Sequence, residues 1–228
     1  YQDFVRRFPK SELAPKALGS LAVLLSIQGR SDQAGEMFKK LHDDWPNDPY
    51  AQNIVFVEVR TYLDLGRTND AVKAATRMLN TPAAYKPEQF YGIADLLLSA
   101  NMNEEAGQAY TLAMATTNQA MWQAVSVGLA RARFSEGKFD LAAKAIDEML
   151  AKHPKSAYTV EANRILARSC AALGAKEGNP EKKEALFGRA IGAMNRALKF
   201  VKPTDKKMRT EVELEIAEIY ELKGDKPK

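Results

Sequence analysis

The sequence predicts an all-α solenoid: antiparallel helix pairs, about 12 helices in all, stacked along one axis. Three observations carry the prediction. From Gly29 the chain runs five residues to Ala34, four to Phe38, three to Leu41 and five to Pro46, and copies of this ruler recur to the end. Candidate helix-ending residues Gly29, Gly66, Asn101, Gly137, Gly174 and Gly224 stand 37, 35, 36, 37 and 50 residues apart. Apolar side chains lead up to them at helical spacing, as in Leu18, Leu21, Ala22 and Leu25. One helix pair cannot bury its own apolar face, so a period of this size implies neighbours that bury it.

Taken in order, Tyr1, Phe4, Val5 and Pro9 match the second half of a unit whose first half is missing. Because the chain starts at Tyr1 without methionine, it reads as a fragment of a longer protein. Helices are expected over roughly 12–28 and 31–44, with Gly29 closing the first in a left-handed conformation and Ser31 or Asp32 capping the second. Ala34 is small where the paired helices approach most closely, and Phe38 fills the space one turn further on. The second unit carries Val55, Val59, Tyr62, Gly66, Ala71, Met78 and Pro82, with Glu58 where Leu21 stood, read as a local loss of the pattern.

The third unit has Phe90, Ile93, Ala94, Leu97, Asn101, Ala106, Tyr110 and Ala113, asparagine being the other residue that readily takes the left-handed cap. The fourth has Leu129, Ala130, Gly137, Ala142, Ile146, Met149 and Pro154. The fifth starts with Leu166, Ala167, Cys170 and Gly174 and then departs, since Lys176 to Lys183 is expected to intervene before the helix of Ala190, Met194 and Ala197. Val212, Ile216, Ala217, Ile219, Tyr220 and Gly224 form a last first-helix, followed by a polar tail, Asp225 to Lys228. The whole is read as one solenoid over 1–228, with orphan half-units at 1–9 and 205–224.

Composition restricts the function classes. The chain has 228 residues, 46% of them apolar, and no run near 18 apolar residues that would span a membrane. The net charge is +4, from 33 basic and 29 acidic side chains, a weak excess that does not imply nucleic acid. One cysteine, Cys170, excludes an internal disulfide and multi-cysteine zinc patterns and reads as a buried small hydrophobe. No phosphate-cradling glycine loop, His-Glu-x-x-His helix or glycine-flanked serine elbow is present, so the chain is read as no enzyme, with no cofactor and no metal. His42 and His153 fall near the ends of equivalent second helices, where a cation favours the helix dipole. Glu211, Glu213, Glu215, Glu218 and Glu221 point several ways round the last helix and read as solvation.

The residues resemble the tetratricopeptide repeat, whose small residue in the first helix, helix-ending glycine, alanine, aromatic and proline are matched by Ala22, Gly29, Ala34, Phe38 and Pro46. Five partial or full units cover nearly the whole chain. The resemblance implies a right-handed superhelix that binds another protein or peptide segment on its concave face. Departures are a period slightly above the usual one, Leu18 in place of the pattern's tryptophan, and the extra length after Gly174. Phe8-Pro9-Lys10-Ser11, Trp45-Pro46-Asn47-Asp48 and His153-Pro154-Lys155-Ser156, each leading into an alanine-bearing helix, look like bacterial cell-envelope members such as outer-membrane-assembly lipoproteins and the Tol-Pal coordinator. That implies a bacterial envelope or periplasmic adaptor, with the cytoplasm as the alternative.

In such a stack the side chains 10, 6 and 3 residues before each helix-ending residue line the concave face. The candidate partner-binding residues are therefore Phe56, Arg60, Tyr91, Asp95, Arg131, Phe134, Arg164 and Arg168, since arginine and aromatics supply planar hydrogen bonding and large contact area. The alternative is that the aromatics pack on neighbouring helices while the arginines pair with Asp95 or face solvent. Gly19 and Val23 on the first unit's stripe disfavour the lysine and asparagine clamp that some of the family use for a C-terminal carboxylate. Residues 176–209 hold ten lysines and arginines against four acids. Lys182, Lys183, Arg189, Arg196, Lys199, Lys206, Lys207 and Arg209 are a candidate basic patch for an anionic polymer or membrane surface. Nucleic acid is the weaker form of that reading, without interleaved aromatics nearby. A third reading is self-association through the orphan end helices.

Overall fold

A left-handed residue, four times repeated, sets the architecture. Gly29, Gly66, Asn101 and Gly137 have φ of 72°, 67°, 60° and 76°. After each, the next backbone N–H reaches back past it: Arg30 to Leu25 O at 2.9 Å, Arg67 to Tyr62 O at 2.8 Å, Met102 to Leu97 O at 2.9 Å and Lys138 to Arg133 O at 2.9 Å. This six-to-one closure satisfies an orphan carbonyl and turns the chain within three residues. The second helix then starts at once. Arg30, Arg67 and Lys138 occupy the N-cap positions without side-chain caps, so Ser31 and Asp32 are not the caps the sequence suggested but lie inside the first turn. Asp32, Asp70 and Asp140 there favour the positive end of the dipole.

The computed structural model describes residues 1–46 and 48–224; Asn47 and the 225–228 tail lie outside the described residues. Thirteen α-helices and no strand occur among the described residues, in two compact units, Tyr1–Leu112 and Ala113–Lys228. In the first unit α1 is Gln2–Arg7, α2 Ala14–Ile27, α3 Ser31–Asp44, α4 Pro49–Asn53, α5 Val55–Asp64, α6 Thr68–Leu79, α7 Pro87–Ser99 and α8 Asn103–Ala113. A short 3-10 turn, Pro82–Ala84, precedes α7. The second unit holds α9 Gln119–Ser135, α10 Phe139–Lys152, α11 Thr159–Lys176, α12 Pro180–Phe200 and α13 Lys206–Lys223.

The first unit buries the side chains that the ruler marks. Leu18, Ala22, Ala34, Phe38, Leu41, Val59, Tyr62, Ala71, Met78, Ile93, Ala94, Leu97, Ala106 and Tyr110 are all withdrawn from water. Close approach is set by Gly19, where a Cβ would meet Tyr50 Cε1 at 2.7 Å and Ile54 Cδ1 at 2.9 Å. Ser26 and Thr61 share a hydroxyl hydrogen bond of 2.8 Å between α2 and α5. Tyr1, the counterpart of Phe38, is 61% exposed, and its helix α1 is short.

Glu58 is not a gap in the pattern. Its side chain is 1% exposed, and its carboxylate accepts from Arg77 Nη2 at 2.7 and 2.8 Å and lies 2.8 Å from His42 Nε2. His42 therefore serves this carboxylate rather than only its own helix dipole. The position joins α3, α5 and α6 through a buried carboxylate, ion-paired to Arg77 and hydrogen-bonded to His42. Beside it, burial first and Glu58 second push the Tyr62 hydroxyl up to about 12.

In the second unit Val127, Ala130, Ile146, Met149, Leu166, Ala167, Cys170, Phe187, Ala190, Met194, Ala197, Val212 and Ile219 share one core. Cys170 is fully buried, and burial pushes its thiol up. Gly174 is not a helix-ending residue. It lies within α11, and a Cβ there would come 3.1 Å from the Phe187 ring of α12. Its role is close packing rather than a left-handed turn. The stretch expected to intervene is also mostly helical, since only residues 177–179 separate α11 from α12. Asn179 caps α12 by accepting from Lys182 N at 3.0 Å, and Pro180 supplies a preset φ at its start. The extra length of the fifth unit thus sits in helices of 18 and 21 residues.

The Glu58 contact gives a stability prediction. Replacing Arg77 by alanine leaves a buried carboxylate facing only His42, which should cost about 3 kcal/mol in urea unfolding of the full chain. A loss below about 1 kcal/mol would place the pair among exposed ion pairs instead.

Candidate functional site

The side chains expected on the first helices divide into two chemistries. In the first unit, Phe56 on α5 is 40% exposed and lies against α7 at Gly92, where a Cβ would come 3.6 Å from its Cε2. Arg60, one turn further along α5, is exposed and makes no ion pair among the described residues. Tyr91 on α7 is half-buried, its ring centroid 6.4 Å from that of Tyr110. Asp95 is exposed and accepts the Tyr110 hydroxyl. This face is open, with an apolar ring, a guanidinium and a carboxylate presented by two neighbouring first helices.

In the second unit the same register is ion-paired. Arg131 on α9 pairs with Glu161 on α11. Arg164 on α11 donates from Nε to Glu215 of α13 at 3.1 and 3.2 Å, lies 3.5 Å from Glu211, and contacts Met208 Sδ at 3.4 Å. Arg168 reaches the same Glu215. Glu215 has a side chain only 9% exposed, so reading it as a solvating residue is corrected: two guanidiniums from α11 hold it. Glu213, Glu218 and Glu221 do face solvent. Phe134 packs on Phe139 of its own pair, ring centroids 5.1 Å apart, and Val127 is buried. These arginines link successive first helices, α9 to α11 and α11 to α13, and the carboxylates they meet belong to the chain itself.

The basic candidates also separate. Arg189 pairs with Asp147 of α10, and Arg196 Nε donates to Asn163 Oδ1 of α11 at 3.1 Å. Arg209 lies 3.5 Å from Glu213 on its own helix. Lys182 and Lys183 sit at the start of α12, about 26 Å along the helix from Lys199. Lys199, Lys206 and Lys207 flank the α12–α13 corner. That corner does carry an aromatic: Phe200 is 45% exposed, which corrects the reading of a segment without one.

Among the described residues no group of three or more histidine, cysteine or acidic side chains is placed to hold a metal ion, and no helix is long and apolar enough to cross a membrane. His153 stacks near Trp122, ring centroids 5.7 Å apart, with the Lys152 ammonium 4.5 Å from the same indole.

Residues 127–184, from within α9 to the start of α12, match the family model described as the tetratricopeptide repeat. Over that segment the chain is similar to the tetratricopeptide repeat. The crystal structure of the MamA protein is similar to this chain at 16% identity, covering 84% of this chain and 98% of that one with a TM-score of 0.52. A putative kinesin light chain from Podosopora anserina, with nearly identical tetratricopeptide-like repeats, is similar at 15% identity over 82% and 98% of the two chains, with a TM-score of 0.51. At such identities both speak to the fold alone, and that fold is the helix-pair solenoid class. No curated protein matches the chain.

The two chemistries separate in stability. Glu215→Ala leaves Arg164 and Arg168 without their shared carboxylate and should cost about 3 kcal/mol, whereas Arg131→Ala, breaking a half-exposed pair, should cost under about 1 kcal/mol. Chemical denaturation of the two variants checks the contrast, and equal losses would contradict it.

Proposed function

We propose that the protein is a non-enzymatic scaffold that holds a segment of another protein against the first-helix face of the Tyr1–Leu112 unit. The observation that carries this is the open set of Phe56, Arg60 and Asp95. A 40% exposed ring is poorly placed for folding alone, and an exposed guanidinium without an ion pair among the described residues offers a bidentate site for a carboxylate. Arginine and aromatics are the side chains that dominate interface energetics, and tetratricopeptide architecture presents them on rigid helices. The segment that fits is extended or helical, with an apolar side chain for Phe56 and an acid for Arg60. On the second unit, taken by itself, Arg131, Arg164 and Arg168 would open to a carboxylate only by giving up Glu161 and Glu215. The bacterial cell-envelope setting, with the cytoplasm as the alternative, rests on the Phe8-Pro9, Trp45-Pro46 and His153-Pro154 turns alone.

A second reading, self-association, is favoured by one observation. Leu214 and Leu222 of α13 are 60% and 56% exposed beside Glu213, Glu218 and Glu221, while Phe8, just after α1, is 55% exposed beside Arg6, Arg7 and Lys10. Apolar surfaces rimmed by opposite charges are complementary between copies.

Selection of binding peptides from a random display library, followed by titration of one selected peptide, tests the first reading. The double variant Phe56→Ala with Arg60→Glu should weaken that peptide by roughly a hundredfold at unchanged helicity; equal affinity would refute the assignment of the surface. Sedimentation over a wide protein concentration range tests the second, with association that weakens in salt as the expected result and a strictly monomeric chain as the contrary one.

A further inference from the structure

The α12–α13 corner holds a charge arrangement that the fold does not use. Lys199, Lys202, Lys206 and Lys207 are all exposed and make no ion pair among the described residues. The one acid in this stretch, Asp205, is occupied as the N-cap of α13, accepting from Met208 N at 3.0 Å. Lys206 and Lys207 open α13, and no acid stands in its first turn. Cations there oppose the helix dipole, so local stability does not account for them. By contrast, Arg189 and Arg196 in the same basic segment are engaged by α10 and α11.

The corner is also firmly built. Val201 is buried in the unit's core, and Asp205 N donates to Lys202 O at 2.9 Å, so the turn is held from inside and closed by a cap. Phe200, the residue before Val201 and the last of α12, points the other way and is 45% exposed. An exposed aromatic ring with four exposed ammonium groups, unpaired among the described residues, between residues 199 and 207 has the two chemistries that an acidic lipid surface offers in return: apolar depth and negative headgroups.

We propose that the α12–α13 corner docks on an anionic bilayer surface, Phe200 entering the interface and Lys199, Lys202, Lys206 and Lys207 meeting the headgroups. Lysine suits this occupant because its long apolar stem can lie along the interface while the ammonium reaches phosphate, with no planar geometry to satisfy. Each such lysine near an acidic membrane contributes about a fivefold gain in binding. One chain-embedded anchor plus a polybasic set gives reversible attachment rather than insertion. A nucleic-acid strand is the poorer occupant, because a single exposed ring provides no second platform for the next base. The inference is independent of the scaffold reading, since these residues lie on a different unit from Phe56 and Arg60.

The test is co-sedimentation of the full chain with sucrose-loaded vesicles of phosphatidylcholine, or of phosphatidylcholine and phosphatidylserine at roughly 7:3, at low and high salt. Binding should require phosphatidylserine and fall with salt. Lys202→Gln/Lys206→Gln/Lys207→Gln should reduce it by roughly a hundredfold and Phe200→Ser by roughly tenfold, at unchanged circular dichroism. Lys182→Gln/Lys183→Gln, at the far end of α12, should leave it unchanged. The proposal fails if phosphatidylserine vesicles do not bind at low salt. It also fails if the Lys182/Lys183 variant loses as much as the corner variant, or if a single-stranded oligonucleotide binds the corner more tightly than the vesicles do.

Discussion

Every regular helix pair in this protein depends on one residue accepting a left-handed backbone at the end of the first helix. The N–H two places beyond the C-cap then bonds back to the last turn, and the chain reverses in three residues with its orphan carbonyl satisfied. Glycine does this without steric cost and Asn101 does it at a tolerable one. Where the left-handed residue is missing, after α11, the consequence is architectural: the helix runs on to Lys176, the next begins from a side-chain cap at Asn179, and the pair is longer than its neighbours. In the four pairs closed this way, spacing and the register of the first-helix side chains follow from that single backbone event.

The faces so positioned are not chemically uniform. One register carries Phe56, Arg60 and Asp95 in the first unit and Arg131, Arg164 and Arg168 in the second, yet only the second is closed by its own acids. A guanidinium already holding a desolvated carboxylate is a structural link, and displacing that carboxylate costs what the link contributes. An exposed guanidinium without such a partner has no comparable cost to overcome. The distinction between scaffold and recognition surface is thus made by who holds the negative charge, not by the arginine itself.

Much of the fold was legible in the sequence because repetition averages over local accidents. Ala34, Phe38, Leu41, Ala106 and Tyr110 are buried where the ruler placed them, and four of the six helix-ending residues close a pair in the left-handed conformation. Gly224 is left-handed too, at the end of α13. Gly174 misled because a small residue is wanted both at a left-handed turn and under a ring such as Phe187, and spacing does not separate the two needs. The chemistry of the site was less legible. Glu58 meets partners 16 and 19 residues away, and Glu215 meets partners 47 and 51 away. Whether such pairs touch depends on helix placement, which a one-dimensional pattern does not encode. A charged residue at an apolar position of the ruler was the available signal, and at Glu58 it stood in plain view.

Repeat architectures are usually pictured as rows of interchangeable parts, and Glu58 shows that this chain is not one. Its carboxylate is buried on α5, but the groups that bond to it come from α3, in the preceding pair, and from α6, its own second helix. Moving or duplicating this pair behind any other would bury the acid without His42. The order of the first two pairs is therefore written into their chemistry, since only this neighbour supplies His42 to Glu58.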